Sequence, residues 1–201
     1  VMSWKGDLEE ARAVLNSAPN FDDSWIVFRL DLYERRYREA LGRLSARSEG
    51  VYRSQMHIRP KSLWEAQLYD LMRRPEQAAD AYEKARVFLE NELREQPDDF
   101  RLHAALGITY AGLGRKTEAV RAWERSVDVL PLSRDALIVG RRITDCALIH
   151  TMVADQDTAL DWIEELLSKP SGYSVKDLEM DPRWDPLRNH PRYQQIIDEF
   201  R

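Results

Sequence analysis

The tetrad Gly114-Arg115-Lys116-Thr117 is the nearest this sequence comes to a phosphate-binding loop. Such a loop needs Gly followed directly by Lys and then Ser or Thr, after a strand, so that backbone N–H groups and the ammonium meet the phosphates. Here Arg115 intervenes and a helical pattern precedes, so the tetrad reads as a turn between paired helices. Cys146 is the only cysteine, which excludes an internal disulfide and any multi-cysteine zinc site. It shares an apolar stripe with Ile143, Ala147 and His150, where a buried structural thiol is expected. The four histidines, His57, His103, His150 and His190, are scattered with no HxxxH or HExxH spacing and read as packing or surface residues. Paired carboxylates such as Glu164-Glu165 and Asp98-Asp99 suit solvated helix faces or caps. No catalytic residue, metal ligand or cofactor is expected.

What these residues sit on is a set of helices. Between Phe100 and Pro131, Leu102, Leu106, Tyr110 and Leu113 recur at steps of four, four and three, which places them on one helical face. Gly112 and Gly114 interrupt that helix. A second period runs through Ala119, Trp123, Val127 and Leu130, and Pro131 stops it because proline cannot continue the hydrogen-bond ladder. The spacing predicts two antiparallel helices, with Gly107 and Ala119 at their closest approach and Trp123 as the large plug opposite. A hairpin of this kind cannot bury its apolar face alone and implies similar neighbours. Weaker copies exist: Ala40, Ala78, Ala119 and Ala159 stand 38, 41 and 40 residues apart. After Ala78 the pattern stays helical to Pro97, about two turns longer than in the best block.

The block with Leu106-Gly107, Tyr110, Gly114, Ala119, Trp123 and Pro131 resembles a tetratricopeptide repeat. His103 and Ser126 depart from that family, which usually has Trp and Ala in their places. The resemblance implies an all-α fold, a right-handed superhelical solenoid of antiparallel helix hairpins with a C-terminal helical cap. The expected units are a partial repeat at 1–19, repeats at 21–48, 60–97, 99–131 and 136–169, and a cap at 174–201. The wording of Gln96-Pro97-Asp98-Asp99, of Leu130 to Asp135 and of the DPRWDPLRNHPRY ending is also similar to the C-terminal repeat region of large bacterial signalling proteins. In those proteins the region follows an adenylate cyclase, a serine/threonine kinase or a winged-helix regulator domain.

That resemblance also implies a concave groove lined by the first helix of each hairpin. In the best block the lining is Arg101, Ala104, Ile108 and Ala111, and in the next it is Arg141, Thr144, Leu148 and Thr151. Earlier units contribute Trp25, Arg29 and Leu32, then Leu63, Gln67 and Asp70. Family members that grip a terminal carboxylate use Lys and Asn where Ala104 and Ile108 stand, so that mode is not expected.

Asp7 with Glu10 reads as a capping box for a first helix, and Trp4 as the remnant of a missing partner helix, which suggests a fragment of a longer protein. At the other end Asp181-Pro182, Asp185-Pro186 and His190-Pro191 each read as the start of a short helix. With 201 residues, 43% hydrophobic and 32% charged, the chain has the composition of a water-soluble domain. It holds no run of 18 apolar residues, so membrane insertion by this segment is not expected, nor is a signal peptide. A net charge of −5 disfavours nucleic acid, and the pairs Arg35-Arg36 and Arg141-Arg142 are too short to reverse that. The expected role is a noncatalytic cytoplasmic module that binds a protein or peptide segment, or an upstream domain of its own chain. The alternative is a fragment contributing directly to an enzyme such as a nucleotide cyclase or kinase.

Overall fold

The computed structural model of the chain describes residues 8–17, 24–134, 138–169 and 172–201, excepting the side chains of Asn16, Ser24 and Trp25. The expected cap at Asp7, the Trp4 position, Asp135 and the Trp25 side chain lie outside that set. Helices dominate, in the order α1 (Leu8–Ser17), α2 (Ser24–Tyr33), α3 (Tyr37–Ala46), α4 (Lys61–Leu71), α5 (Pro75–Glu95), α6 (Phe100–Gly112), α7 (Lys116–Val129), α8 (Val139–Met152), α9 (Gln156–Ser168), α10 (Val175–Met180) and α11 (Pro191–Phe200). A 3-10 helix, Pro182–Leu187, joins the last two.

Four of the helix pairs turn in the same way. Arg35, Arg73, Gly114 and Ala154 have φ of 59°, 58°, 72° and 58°, the left-handed conformation that ends a helix. Each donates its N–H to the carbonyl three residues back, and the next residue donates to the carbonyl five back, as in Arg36 to Asp31 at 2.7 Å and Arg115 to Tyr110 at 2.9 Å. This double bond satisfies carbonyls that the helix end would leave orphaned. Five residues after each left-handed residue stands a buried alanine: Ala40, Ala78, Ala119 and Ala159 are at most 2% exposed. A methyl group there lets the second helix lie close against the first. Between α6 and α7 the approach is closest at Gly107, where a Cβ would meet the Ala119 carbonyl oxygen at 3.1 Å and Ile149 Cδ1 at 2.8 Å. Trp123 fills the space beside it at 4% exposure. Gly112, the last residue of α6, lies so close to the Tyr82 ring that a Cβ there would overlap it.

An element absent from the all-helical reading stands before α4. Strands β1 (Val51–Arg53) and β2 (Ile58–Pro60) pair antiparallel, with Tyr52 opposite Arg59 and Arg53 opposite Ile58. Ser54 closes the turn, accepting on Oγ from the Met56 and His57 N–H groups at 3.2 Å each. Arg101 then ties the turn to α6 by donating to the Ser54 carbonyl at 2.7 Å while its own helix is capped by Asp99.

The C-terminal segment folds back onto the first helices. Tyr33 donates to Asp177 across 144 residues at 3.2 Å, and Arg35 grips Asp185 across 150 residues at 2.7 and 2.9 Å. Met180 packs against the small apolar cluster of Phe28, Leu32, Tyr33, Ala40, Leu44 and Leu68. Asp181 caps the 3-10 helix through the Arg183 N–H, and His190 caps α11 through the Arg192 N–H. Asp185-Pro186 starts no helix of its own, because Pro186 lies inside the 3-10 helix that Asp181 began.

Candidate binding site

The side chains expected to line one open groove are divided by the fold among four settings. Leu63, Ala104, Ile108 and Ala111 are at most 5% exposed and belong to the main core, where α6 packs on β2 and α8. Thr151 is 5% exposed and bonds the Ala147 carbonyl one turn back. Gln67, Asp70 and Leu148 line a cavity of about 690 Å³ beside Tyr82, Pro182 and Asp185. There Asp70 accepts from the Tyr82 hydroxyl at 2.7 Å. Arg29, Leu32, Arg141 and Thr144 line a second cavity of about 240 Å³, and Arg101 stands outside both, bonded to Asp99 and Ser54.

The second cavity gathers four arginines and an aspartate. From α8, Arg141, Thr144 and Asp145 project at steps of three and four, one helical face. From α2 come Phe28, Arg29 and Leu32. The hairpin adds His57 and Arg59, two residues apart and so on one face of the ribbon, with Tyr52 as the cross-strand partner of Arg59. Trp64 of α4 and Arg183 of the 3-10 helix complete the wall.

Arg59 is 3% exposed and bonds Asp145 Oδ1 through Nη2 at 2.5 Å, with its guanidinium 5.3 Å from the Trp64 ring centroid. Its Nη1 is buried without a hydrogen-bond partner. Arg183 is committed to Asp181, with contacts from Nε at 3.0 and 3.1 Å and from Nη2 at 2.5 Å. Arg141 is exposed and forms neither a hydrogen bond nor an ion pair with another described residue. Burial lowers the Arg59 pKa; Asp145 works against that shift, while Arg183 and Arg141 add to it. His57 is pushed down to about 3 by burial first and Arg59 next, so it is neutral at physiological pH, and its Nδ1 is also buried without a partner. Four arginines against Asp145 and Asp181 leave the region with a formal charge of +2 inside a chain of net charge −5.

Sequence reasoning reached Arg29, Leu32, Arg141 and Thr144 but did not single out His57, Arg59, Asp145 or Arg183 as site residues. The alternation His57-Ile58-Arg59 was the available signal, since it puts two polar groups on one side of a short strand.

Elsewhere the chemistry-bearing residues serve structure. Arg115 pairs with Glu118 and stacks on Tyr110 at 4.5 Å, so the glycine-bearing tetrad is a helix turn. Cys146 is fully buried, and burial pushes its thiol pKa up, which disfavours the reactive thiolate. Arg142 is 2% exposed, donates to the Ser126 and Leu130 carbonyls at the end of α7, and lies over the Phe100 ring at 5.0 Å. His103 bonds the Pro97 carbonyl at 2.8 Å and His150 bonds Asp155 at 3.1 Å. Among the described residues, no group of three or more His, Cys, Asp or Glu is placed to hold a metal ion. No described helix is long and apolar enough to cross a membrane.

The sequence matches no model of a known protein family. A search of curated proteins likewise gives no significant match.

Proposed function

We propose that this chain is a noncatalytic interaction module, built of tetratricopeptide-like hairpins, that holds a protein segment at its inner face. The segment belongs to a partner or to an upstream domain of the same polypeptide, in keeping with the resemblance to the repeat regions of bacterial signalling proteins. The observation that carries the reading is the fourfold recurrence of one turn geometry, with a buried alanine five residues after each left-handed residue. Stacked hairpins of this kind present side chains from successive units along a common surface, which suits recognition of an extended segment. The cavity between α2, the β-hairpin, α4 and α8 supports the same reading, because it combines apolar and aromatic side chains with charged and polar groups.

The test is selection of a random peptide library on the immobilised chain, followed by hydrogen exchange with the enriched peptides. Micromolar binding that protects amides of α2 and the β-hairpin is expected. Enrichment of no sequence, or protection confined to α5, α7 and α9, refutes the proposal.

A further inference from the structure

The cavity bounded by α2, the β-hairpin, α4 and α8 has a charge, a size and a wall chemistry that together restrict its occupant. The charge is positive in a protein that is otherwise acidic: Arg29, Arg59, Arg141 and Arg183 line it, and only Asp145 among the lining residues is an acid. Asp145 is bonded to Arg59, and Asp181 holds Arg183, while Arg141 has no acid partner among the described residues. Buried Nη1 of Arg59 lacks an acceptor, and an unmade bond to a buried donor is costly, so an incoming oxygen that meets it recovers that cost. The size is about 240 Å³, below the ~300–1,000 Å³ of clefts that hold a whole small molecule. A single side chain fits. The walls are mixed: Phe28 and Leu32 are buried at 4% and 5% exposure, and Met56 stands 40% exposed at the hairpin turn.

The geometry points to a site for one acidic side chain of a bound peptide, its carboxylate set against Arg141 and Arg59 and a neighbouring apolar side chain set against Met56 and Phe28. This rests on the peptide-binding reading above and sharpens it to a ligand chemistry. A guanidinium fork matches a planar carboxylate with two parallel hydrogen bonds. Neutral His57 adds no competing charge and leaves an imidazole edge for a peptide polar group.

The experiment is a titration of the chain, followed through arginine side-chain N–H resonances, with acetyl-Ala-Leu-Glu-Leu-Ala-amide, its Gln counterpart and inorganic phosphate. The Glu peptide is expected to bind at least about tenfold more tightly than the Gln peptide, as a charge-assisted pair requires. Arg141→Gln should remove most of that preference, and the fold should survive because Arg141 is exposed. Arg125→Gln, which removes an equal charge from a surface pair with Asp98, should leave the preference intact. Equal binding of the Glu and Gln peptides overturns the acidic-side-chain site while the peptide-binding reading stands. An unchanged preference in Arg141→Gln, or a loss as large in Arg125→Gln, also overturns the site. Phosphate binding as tightly as the Glu peptide shows an anion trap without an apolar subsite, and overturns it too. Failure of every peptide, the library-selected ones included, removes the underlying reading itself.

Discussion

Gly114 and Ala154 occupy equivalent turns, and exchanging their residue types isolates the backbone contribution to stability. Gly114 has φ of 72° and no heavy atom within 4 Å of the place a Cβ would take, so Gly114→Ala adds a methyl group to open space. Its whole effect is then conformational. An L-residue in the left-handed region costs about 1–2 kcal/mol. The smaller entropy of an unfolded Ala returns roughly 0.4–1 kcal/mol. A net loss of about 0.5–1 kcal/mol remains. Ala154, at φ 58° and exposed, bears the opposite burden, so Ala154→Gly should gain about the same amount. For a domain of this length, 1 kcal/mol moves the melting temperature by roughly 2–4 °C. The two variants should therefore shift it by about 1–4 °C in opposite directions. Thermal and urea unfolding by circular dichroism measure both, with an unchanged urea slope showing that the two end states are the same. A Gly114→Ala protein as stable as the parent, together with no gain in Ala154→Gly, would refute the claim that the four turns share one strained geometry.

Other substitutions probe the packing and the charges. Trp123→Ala should cost about 3–5 kcal/mol in urea unfolding, since the indole is 4% exposed beside the α6–α7 contact. Asp145→Leu alone should cost about 3–5 kcal/mol by stranding the buried Arg59, and adding Arg59→Met should recover most of it. His57, held at about 3 in the fold, refuses a proton that the unfolded chain accepts below about pH 6.5. Stability should fall as pH drops from 6.5 toward 3, and His57→Gln should reduce the loss between pH 7 and 5 by about 2 kcal/mol.

Much of the helical architecture was legible because hydrophobic period and small residues are local signals. The alanines at 40, 78, 119 and 159 gave the register, and each proved to be a buried contact. The turns that precede them were legible only at Gly114. Arg35, Arg73 and Ala154 adopt the same backbone with residue types that favour helix interiors, so tertiary packing rather than local preference holds them there. The β-hairpin escaped because its strands are three residues long, too short for alternation to stand out. Ile108 and Leu148 were expected on an open groove, since repeat register alone says which face a residue occupies and not what later covers it. In the fold α6 meets β2 and α8, and α8 meets the 3-10 helix near the C-terminus. The cavity followed the same logic: its decisive side chains, Arg59, Asp145 and Arg183, come from segments that no local pattern connects.

The bonds from Tyr33 to Asp177 and from Arg35 to Asp185 also bear on the order in which this protein can be made. In an open stack of hairpins each unit touches only its sequence neighbours and can settle as soon as the next one emerges. Here α2 finds part of its packing in residues near 180, including Met180. During synthesis Phe28 and Leu32 stay incompletely covered until the residues near 180 have left the ribosome. The segment from Asp177 to Asp185 thus acts as a keystone for α2 and the turn after it, and synthesis halted before that segment would leave α2 frayed.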